Sequence, residues 1–298
     1  MLNWCGEEDT AACLESLGAS TYKRLTVLLV DNASPDRSGA RLHERFPNIP
    51  FLQTGSNLGY TGGNNAGIRW ALERGTDYVL VINNDATVEP DCIAELVGVA
   101  ESRRDAAVVA PRIMYFDAPE RTWFGGGVFS RMRALGLHRE GPNGATPSGA
   151  VEPITFFTGC CFLARADVMA ATGAFDDSFF AYVEDAELSL RLVRGGYALL
   201  YAPAALAYHR VSTFAEPASA FQVRQRDRNR RRLVGRHYGP ADRLRFAVWF
   251  YPTRLLHAAR YALTGNLGHL KAQLDGAFGA LDGETRPKVG VGSDPRTH

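Results

Sequence analysis

No apolar stretch of this sequence approaches the ~20 residues that a helix needs to cross a bilayer, which excludes a helical membrane span. The chain also lacks a basic and then apolar leader. Met1-Leu2-Asn3-Trp4 passes straight into Glu7-Glu8-Asp9, so no secretory signal peptide is read. The five cysteines, Cys5, Cys13, Cys92, Cys160 and Cys161, are odd in number and have no zinc-site spacing. Reduced thiols in a cytoplasmic protein are the expectation, with Cys160 and Cys161 as small hydrophobes in an apolar run. Net charge is almost absent too. A formal +1 gives no global pull toward nucleic acid, so any basic function has to be local. The dinucleotide fingerprint is missing from the first strand-to-helix turn, which argues against a nucleotide-dependent dehydrogenase. There are no internal repeats.

What is present is ordinary for a globular chain: 298 residues, 46% hydrophobic and 22% charged, enough for one large core with or without an appendage. The first two thirds alternate strand-like and helix-like segments, which predicts an α/β fold with a mainly parallel sheet flanked by helices. Residues 25–30 form an apolar run ending at Asp31, and 79–82 form another ending at Asn83-Asn84-Asp85. Helices are expected over 36–45 and 63–74, the second after a glycine-rich turn at 57–63. Pro90 suits a first helical position before a helix to about Ser102, and 106–110 reads as a strand. Residues 117–153, rich in Gly and Pro, predict a long loop or hairpin over the site. Residues 154–164 read as a buried strand broken by Gly159, 184–194 as a helix stopped by Gly195-Gly196, and 197–201 as a further strand. In open α/β sheets ligands bind beyond the carboxyl ends of strands, and Asp31 and Asp85 both fall there.

Several of these residues have two readings. Asn83-Asn84-Asp85 is either a turn or a set of hard oxygen donors for a divalent cation gripping a diphosphate. Asp31-Asn32-Ala33-Ser34-Pro35 is a turn or a nucleoside contact. Glu184, Asp185 and Glu187 either complement a helix dipole or include a general base for an attacking hydroxyl. His209 alone is a structural residue or a ligand.

In order along the chain, Leu2-Asn3-Trp4, Val30-Asp31-Asn32-Ala33-Ser34, Asn57-Leu58-Gly59-Tyr60, Gly62-Gly63-Asn64-Asn65, Asn83-Asn84-Asp85, Thr158-Gly159, Gly173-Ala174-Phe175-Asp176, Phe179-Phe180-Ala181-Tyr182-Val183-Glu184-Asp185 and His209 resemble the inverting glycosyltransferases of family 2. The likeness runs from Asn3 to about Tyr238 and is nearest the rhamnosyltransferase-like and galactofuranosyltransferase-like enzymes. It implies the GT-A nucleotide-diphospho-sugar transferase fold with a helical C-terminal region. It also implies a donor pocket of Asn3, Asp31, Asn32, Gly59, Asn65, Asn84 and Asp85, and a Mg²⁺ or Mn²⁺ ion on Asp85 and His209. Asp185 matches the catalytic base with Glu184 beside it, and Gly159, Phe175, Asp176 and Tyr182 fall on the acceptor side. Asn83 stands where the acidic metal-binding triplet normally begins, so Asp85 carries the coordination. The implied partners are a nucleotide-diphosphate sugar donor and a glycan or glycolipid acceptor, with dTDP-rhamnose the leading donor and a UDP-sugar next. A nucleotide-sugar-binding protein without catalysis is the alternative.

The domain expectation follows. Residues 1–238 form the catalytic domain, with a nucleotide-sugar half at about 1–115 and a catalytic half at about 150–215. Residues 239–286 are a helical appendage and 287–298 a disordered tail. Arg224, Arg226, Arg228, Arg230, Arg231, Arg232 and Arg236 form a basic run with no nucleic-acid motif around it. The basic, aromatic segment that follows, to Leu263, either lies at an anionic membrane surface at the inner face of the cell membrane or packs on the catalytic domain.

Overall fold

A computed structural model describes residues 1–142, 149–211 and 218–281, and the expected tail lies outside them. The elements in chain order are β1 (Leu2–Asn3), α1 (Glu7–Gly18), β2 (Leu29–Asp31), α2 (Ser38–Arg45), β3 (Phe51–Gln53), α3 (Gly59–Leu72), β4 (Tyr78–Ile82), β5 (Ala86–Val88) and α4 (Cys92–Ser102). They continue with β6 (Ala106–Tyr115), β7 (Ala118–Phe124), β8 (Gly127–Ser130), β9 (Leu135–His138), β10 (Gly141–Pro142), β11 (Glu152–Ile154), β12 (Cys161–Arg165) and α5 (Ala166–Thr172). A 3₁₀ turn at Asp177–Phe179 precedes α6 (Glu184–Arg194), β13 (Ala198–His209), α7 (Ala220–His237), α8 (Pro240–Leu263) and α9 (Leu267–Phe278).

Local chemistry explains several boundaries. Glu184, Asp185 and Glu187 sit in the first turn of α6 and Arg191 and Arg194 in its last, each complementing the helix dipole. A capping box opens α7, with Ser219 accepting from the Gln222 N–H and the Gln222 side chain returning to Ser219. The glycine-rich stretch lies inside α3, which starts at Gly59, four residues ahead of the expected start. A Cβ at Gly63 would stand 2.5 Å from the Leu2 side chain, so this glycine lets the helix close onto β1.

The sheet is less parallel than the sequence pattern predicts. Parallel pairing holds for β1–β2–β3 and for β6 with β13. Strand β12, however, runs antiparallel between β4 and β6, and β7, β5 and β11 also pair antiparallel with their neighbours. The expected single strand at 154–164 is two, because the turn at Gly159-Cys160 sends β11 to β13 and β12 to β4. The expected loop or hairpin at 117–153 holds β7 and the β8–β9 hairpin. All five cysteines are free, and every one except Cys5 is buried. No helix among the described residues is long and apolar enough to cross a membrane.

Most of the basic run of α7 is buried or half-buried, with Arg226 and Arg236 exposed. Arg228 and Arg232 donate to the Leu281 carbonyl and Arg231 to those of Gly276 and Gly279, so α7 closes the end of α9. Asp227 is buried beneath them, bonded to Arg230, Arg254 and Gln273. Three donors surround one carboxylate, which offsets the cost of burying its charge.

Candidate active site

Two groups of polar side chains stand at strand ends and a third at the start of α6. The first surrounds Asp31. Its buried carboxylate accepts from Asn3 Nδ2 at 2.9 Å, Ser34 Oγ at 2.6 Å, the Ser34 N–H at 3.2 Å and Gln53 Nε2 at 3.1 Å. Asn3 is itself buried and also reaches Ser34, Ser38 and Thr10. Asn32 donates to Asn57 Oδ1 and to the Gly59 carbonyl, both at 3.1 Å, and thereby ties this corner to the start of α3.

The second group forms where β5 pairs with β13, which sets His209 opposite Ala86. His209 Nε2 lies 3.1 Å from Asp85 Oδ1, and the Arg210 N–H donates to the Asp85 carbonyl at 2.9 Å. Burial alone would push the Asp85 carboxyl up, but the His209 ring, its hydrogen bond and Arg210 together hold it below the usual range. The His209 ring stands edge-on to Trp123, centroids 4.5 Å apart, and its Nδ1 is buried with no hydrogen-bond partner. Two donors 3.1 Å apart have the spacing of adjacent ligands on one octahedral ion with bonds of about 2.1 Å. No cluster of three metal-ligating side chains exists among the described residues, so these two donors would need oxygens from water or a bound phosphate to complete a shell. Asn84, from the same turn, bonds to Thr10 Oγ1 at 3.0 Å.

The third group is Glu184 and Asp185. Asp185 Oδ2 accepts from the Gly159 N–H at 3.1 Å, and Tyr60 O–H donates to the Gly159 carbonyl at 2.6 Å. The next residue, Cys160, accepts from the Asn83 N–H at 2.8 Å. The turn at 159–160 therefore joins the Asp85 loop directly to Asp185, on one side of the molecule. Burial pushes the Asp185 carboxyl up to about 6, against hydrogen bonds from Gly159 and Ala186 and the field of Arg226. Glu184 is pushed well above the usual range by burial first and by Asp185 second, and its Oε2 has no partner. Burial thus raises both carboxyls, that of Asp185 to about 6.

The chain entering this helix is strained. Phe180, Tyr182 and Val183 all have positive φ, at 60°, 69° and 73°. Asn229 on α7 pins the strained turn by donating to the carbonyls of Phe179, Ala181 and Tyr182 at 2.7–2.8 Å. Gly59 packs against Phe180 with φ of 73°, a contact that any side chain would block. Asn229→Ala is expected to lower kcat by about 10–100-fold through misplacement of Asp185. Donor KM should change little. A drop in KM and kcat together, or none in either, would remove this positioning role.

Not every residue named from the sequence stands at the cleft. Phe175 is buried against Tyr60 and Phe162, and Asp176 caps the 3₁₀ turn and pairs with Arg236. Asn65 holds the same turn through the Phe175 backbone and Asp177. Their contacts are with the turn ahead of Asp185. Gly159, in contrast, bonds Asp185 directly, and the half-buried Tyr182 lies in the strained turn just ahead of it. Asn229 and the exposed Arg226 were not read as site residues, because both lie within a run of arginines that offers no pattern to single them out.

Fold and site together define a GT-A glycosyltransferase. Residues 3–172 match Glycosyl transferase family 2, and the chain belongs to that family. It is 31% identical over 238 residues to the N-acetylglucosaminyl-diphospho-decaprenol L-rhamnosyltransferase of Mycobacterium tuberculosis, covering 69% of this chain and 74% of that one. Against the galactofuranosyltransferase GlfT1 of the same organism it is 30% identical over 194 residues, covering 63% and 62%. Among solved structures, GalNAc-T7 with UDP, GalNAc and Mn²⁺ superposes with a TM-score of 0.63 at 15% identity, over 78% of this chain and 46% of that one.

Proposed function

We propose that the enzyme transfers a sugar, with inversion, from a nucleotide diphosphate to a hydroxyl of a glycan or lipid-linked glycan in cell-surface polysaccharide synthesis. The observation that carries the reading is Asp185: a carboxylate titrating near 6 at the end of a strained turn, joined through residues 159–160 to the Asp85–His209 pair. In this reading the acceptor oxygen forms a bond to the anomeric carbon as the carbon–oxygen bond to the diphosphate breaks. Asp185 takes the acceptor proton, and the electron pair leaves with the nucleotide diphosphate. The nucleoside lies toward Asn3, Asp31 and Asn32, with Gly59 and Asn84 supporting that corner, while Asn65 holds the turn ahead of Asp185. Asp85 and His209 would hold a Mg²⁺ or Mn²⁺ ion, which when bound supplies positive charge to the diphosphate. Tyr182 and Gly159 border the acceptor, while Phe175 and Asp176 shape its wall from behind.

The rhamnosyltransferase relative favours dTDP-rhamnose, with UDP-galactofuranose or another UDP-sugar second. Purified protein incubated with each donor and Mn²⁺ should release the matching nucleotide diphosphate. Release from neither donor class, with or without a polyprenyl-diphosphate sugar acceptor, would defeat the reading.

A lipid-linked acceptor suits the outer face of α8. Leu244, Val248, Leu255, Leu256 and Leu263 are exposed there, beside exposed Arg243, Arg245 and Arg260. Apolar and cationic side chains on one helix surface complement an anionic bilayer at the inner face of the cell membrane. The protein should float with vesicles containing phosphatidylglycerol and much less with neutral vesicles. Leu255→Glu combined with Leu256→Glu should abolish flotation; if the double variant still floats, α8 is not the contact.

A further inference from the structure

The arginine run of α7 is a motif that the reaction leaves unused, and its members do not behave alike. Arg228, Arg231 and Arg232 close the end of α9 through backbone carbonyls. Arg230 donates to the Arg133 carbonyl and pairs with Asp227, and Arg236 pairs with Asp176. Arg224 lies over the Phe221 ring. Arg226 is the one left over. It is exposed, and among the described residues no carboxylate, carbonyl or ring holds it. Its neighbours on the helix fix where it stands. Asn229, three residues on, donates to the carbonyls of the strained turn, and Phe221, five residues back, packs edge-on against Phe180 and Tyr182. Gln222, one helical turn before Arg226, accepts the Ser219 N–H on Oε1 at 2.8 Å and hydrogen-bonds the Tyr182 hydroxyl through its side chain. Residues three and four apart share a helix face, so 222, 226 and 229 all look toward the turn that leads into α6. The positive charge of Arg226 accordingly acts on both Tyr182 and Asp185.

We propose that Arg226, together with the Tyr182 hydroxyl, binds a phosphate group of the acceptor beside Asp185. The proposal rests on the reading of a lipid-linked acceptor, in which a diphosphate joins the sugar to the lipid. A guanidinium presents parallel N–H donors that match two phosphate oxygens, and an unpaired one gives them up without breaking a native contact. Gln222 Oε1 is taken by Ser219, so its amide nitrogen serves the Tyr182 oxygen and leaves the phenol proton for a ligand. The donor diphosphate belongs elsewhere. The Asp85–His209 pair stands at the other end of the 159–160 turn, which meets Asp185 through Gly159 and the Asp85 loop through Cys160. One anion at each end of that turn would leave the acceptor sugar between them, with its hydroxyl held against the base.

Calorimetric titration with geranyl diphosphate and with geraniol, both in EDTA, tests this without any transfer. The chelator keeps divalent cations off Asp85, so the donor side stays silent. The parent should bind the diphosphate at least about 10-fold more tightly than the alcohol. Arg226→Ala should lose that preference, Arg226→Lys should keep part of it, and Asp85→Ala should keep all of it. Arg226 is exposed and holds no other part of the fold, so its variants should match the parent in Tm. A preference that survives in Arg226→Ala, or is absent from the parent, would overturn the proposal. So would one lost in Asp85→Ala, because the diphosphate would then occupy the donor side. In transfer assays Arg226→Ala should raise KM for a prenyl-diphosphate sugar by about 10–100-fold, and KM for an alkyl glycoside of the same sugar by no more than about twofold. Equal rises for the two acceptors would count against phosphate recognition. A protein that transfers nothing yet shows the Arg226-dependent preference would sink the transferase reading and leave the phosphate site standing.

Discussion

Asp185→Asn is expected to slow sugar transfer by about 10²–10⁴-fold while donor affinity survives. The substitution keeps the shape but removes the proton acceptor, and its single amide oxygen can accept from the Gly159 or the Ala186 N–H but not both. Because burial raises the Asp185 carboxyl to about 6, the rate in the parent should fall tenfold per pH step below that value. That limb should vanish in the variant. Stability should move the opposite way. A carboxyl with a raised folded-state affinity for protons favours folding while protonated, and this contribution is lost as pH rises through about 6. Asp185→Asn should therefore be more stable than the parent at pH 8, with little difference at pH 4. Undiminished transfer, or an unchanged acid limb, would remove Asp185 as the base.

Asp85→Ala is expected to weaken cation-dependent donor binding by at least about 10²-fold, the loss that corresponds to several kcal/mol of metal–diphosphate attraction. Asp85 is the one carboxylate beside His209 Nε2, and no third metal-ligating side chain compensates among the described residues. Calorimetric titration of Mn²⁺ in the presence of a nucleoside diphosphate checks this. His209→Ala should give a smaller loss in the same direction. A Mn²⁺ titration in Asp85→Ala that matched the parent would mean that the cation, if any, sits elsewhere.

The parts of the fold legible in the sequence were those written in local chemistry. Helix α6 has its expected ends because acids open it and Gly195-Gly196 stops it. Asp31 and Asp85 fall at strand ends because buried apolar runs stop at polar residues. Strand β13 runs past its expected end at 201, since Pro203 is absorbed in a register shift that local sequence does not announce. The strained turn at 180–183 was not legible either. Its bulky residues hold positive φ where Asn229, nearly fifty residues away, donates to the carbonyls of Phe179, Ala181 and Tyr182. The roles of the α7 arginines were not legible either, because many of their acceptors lie far along the chain: the Arg133 carbonyl, Asp176 and the carbonyls of Gly276, Gly279 and Leu281.

Helix α7 bears on how the protein can be shortened. One surface of it fastens the turn ahead of Asp185, and another receives the closing carbonyls of the last described helix. Trimming at 238 would strip Arg228, Arg231 and Arg232 of their acceptors and expose Asp227. Helices α8 and α9 thus cover the helix that braces the turn ahead of Asp185, so a shortened chain that keeps these contacts has to extend to Leu281.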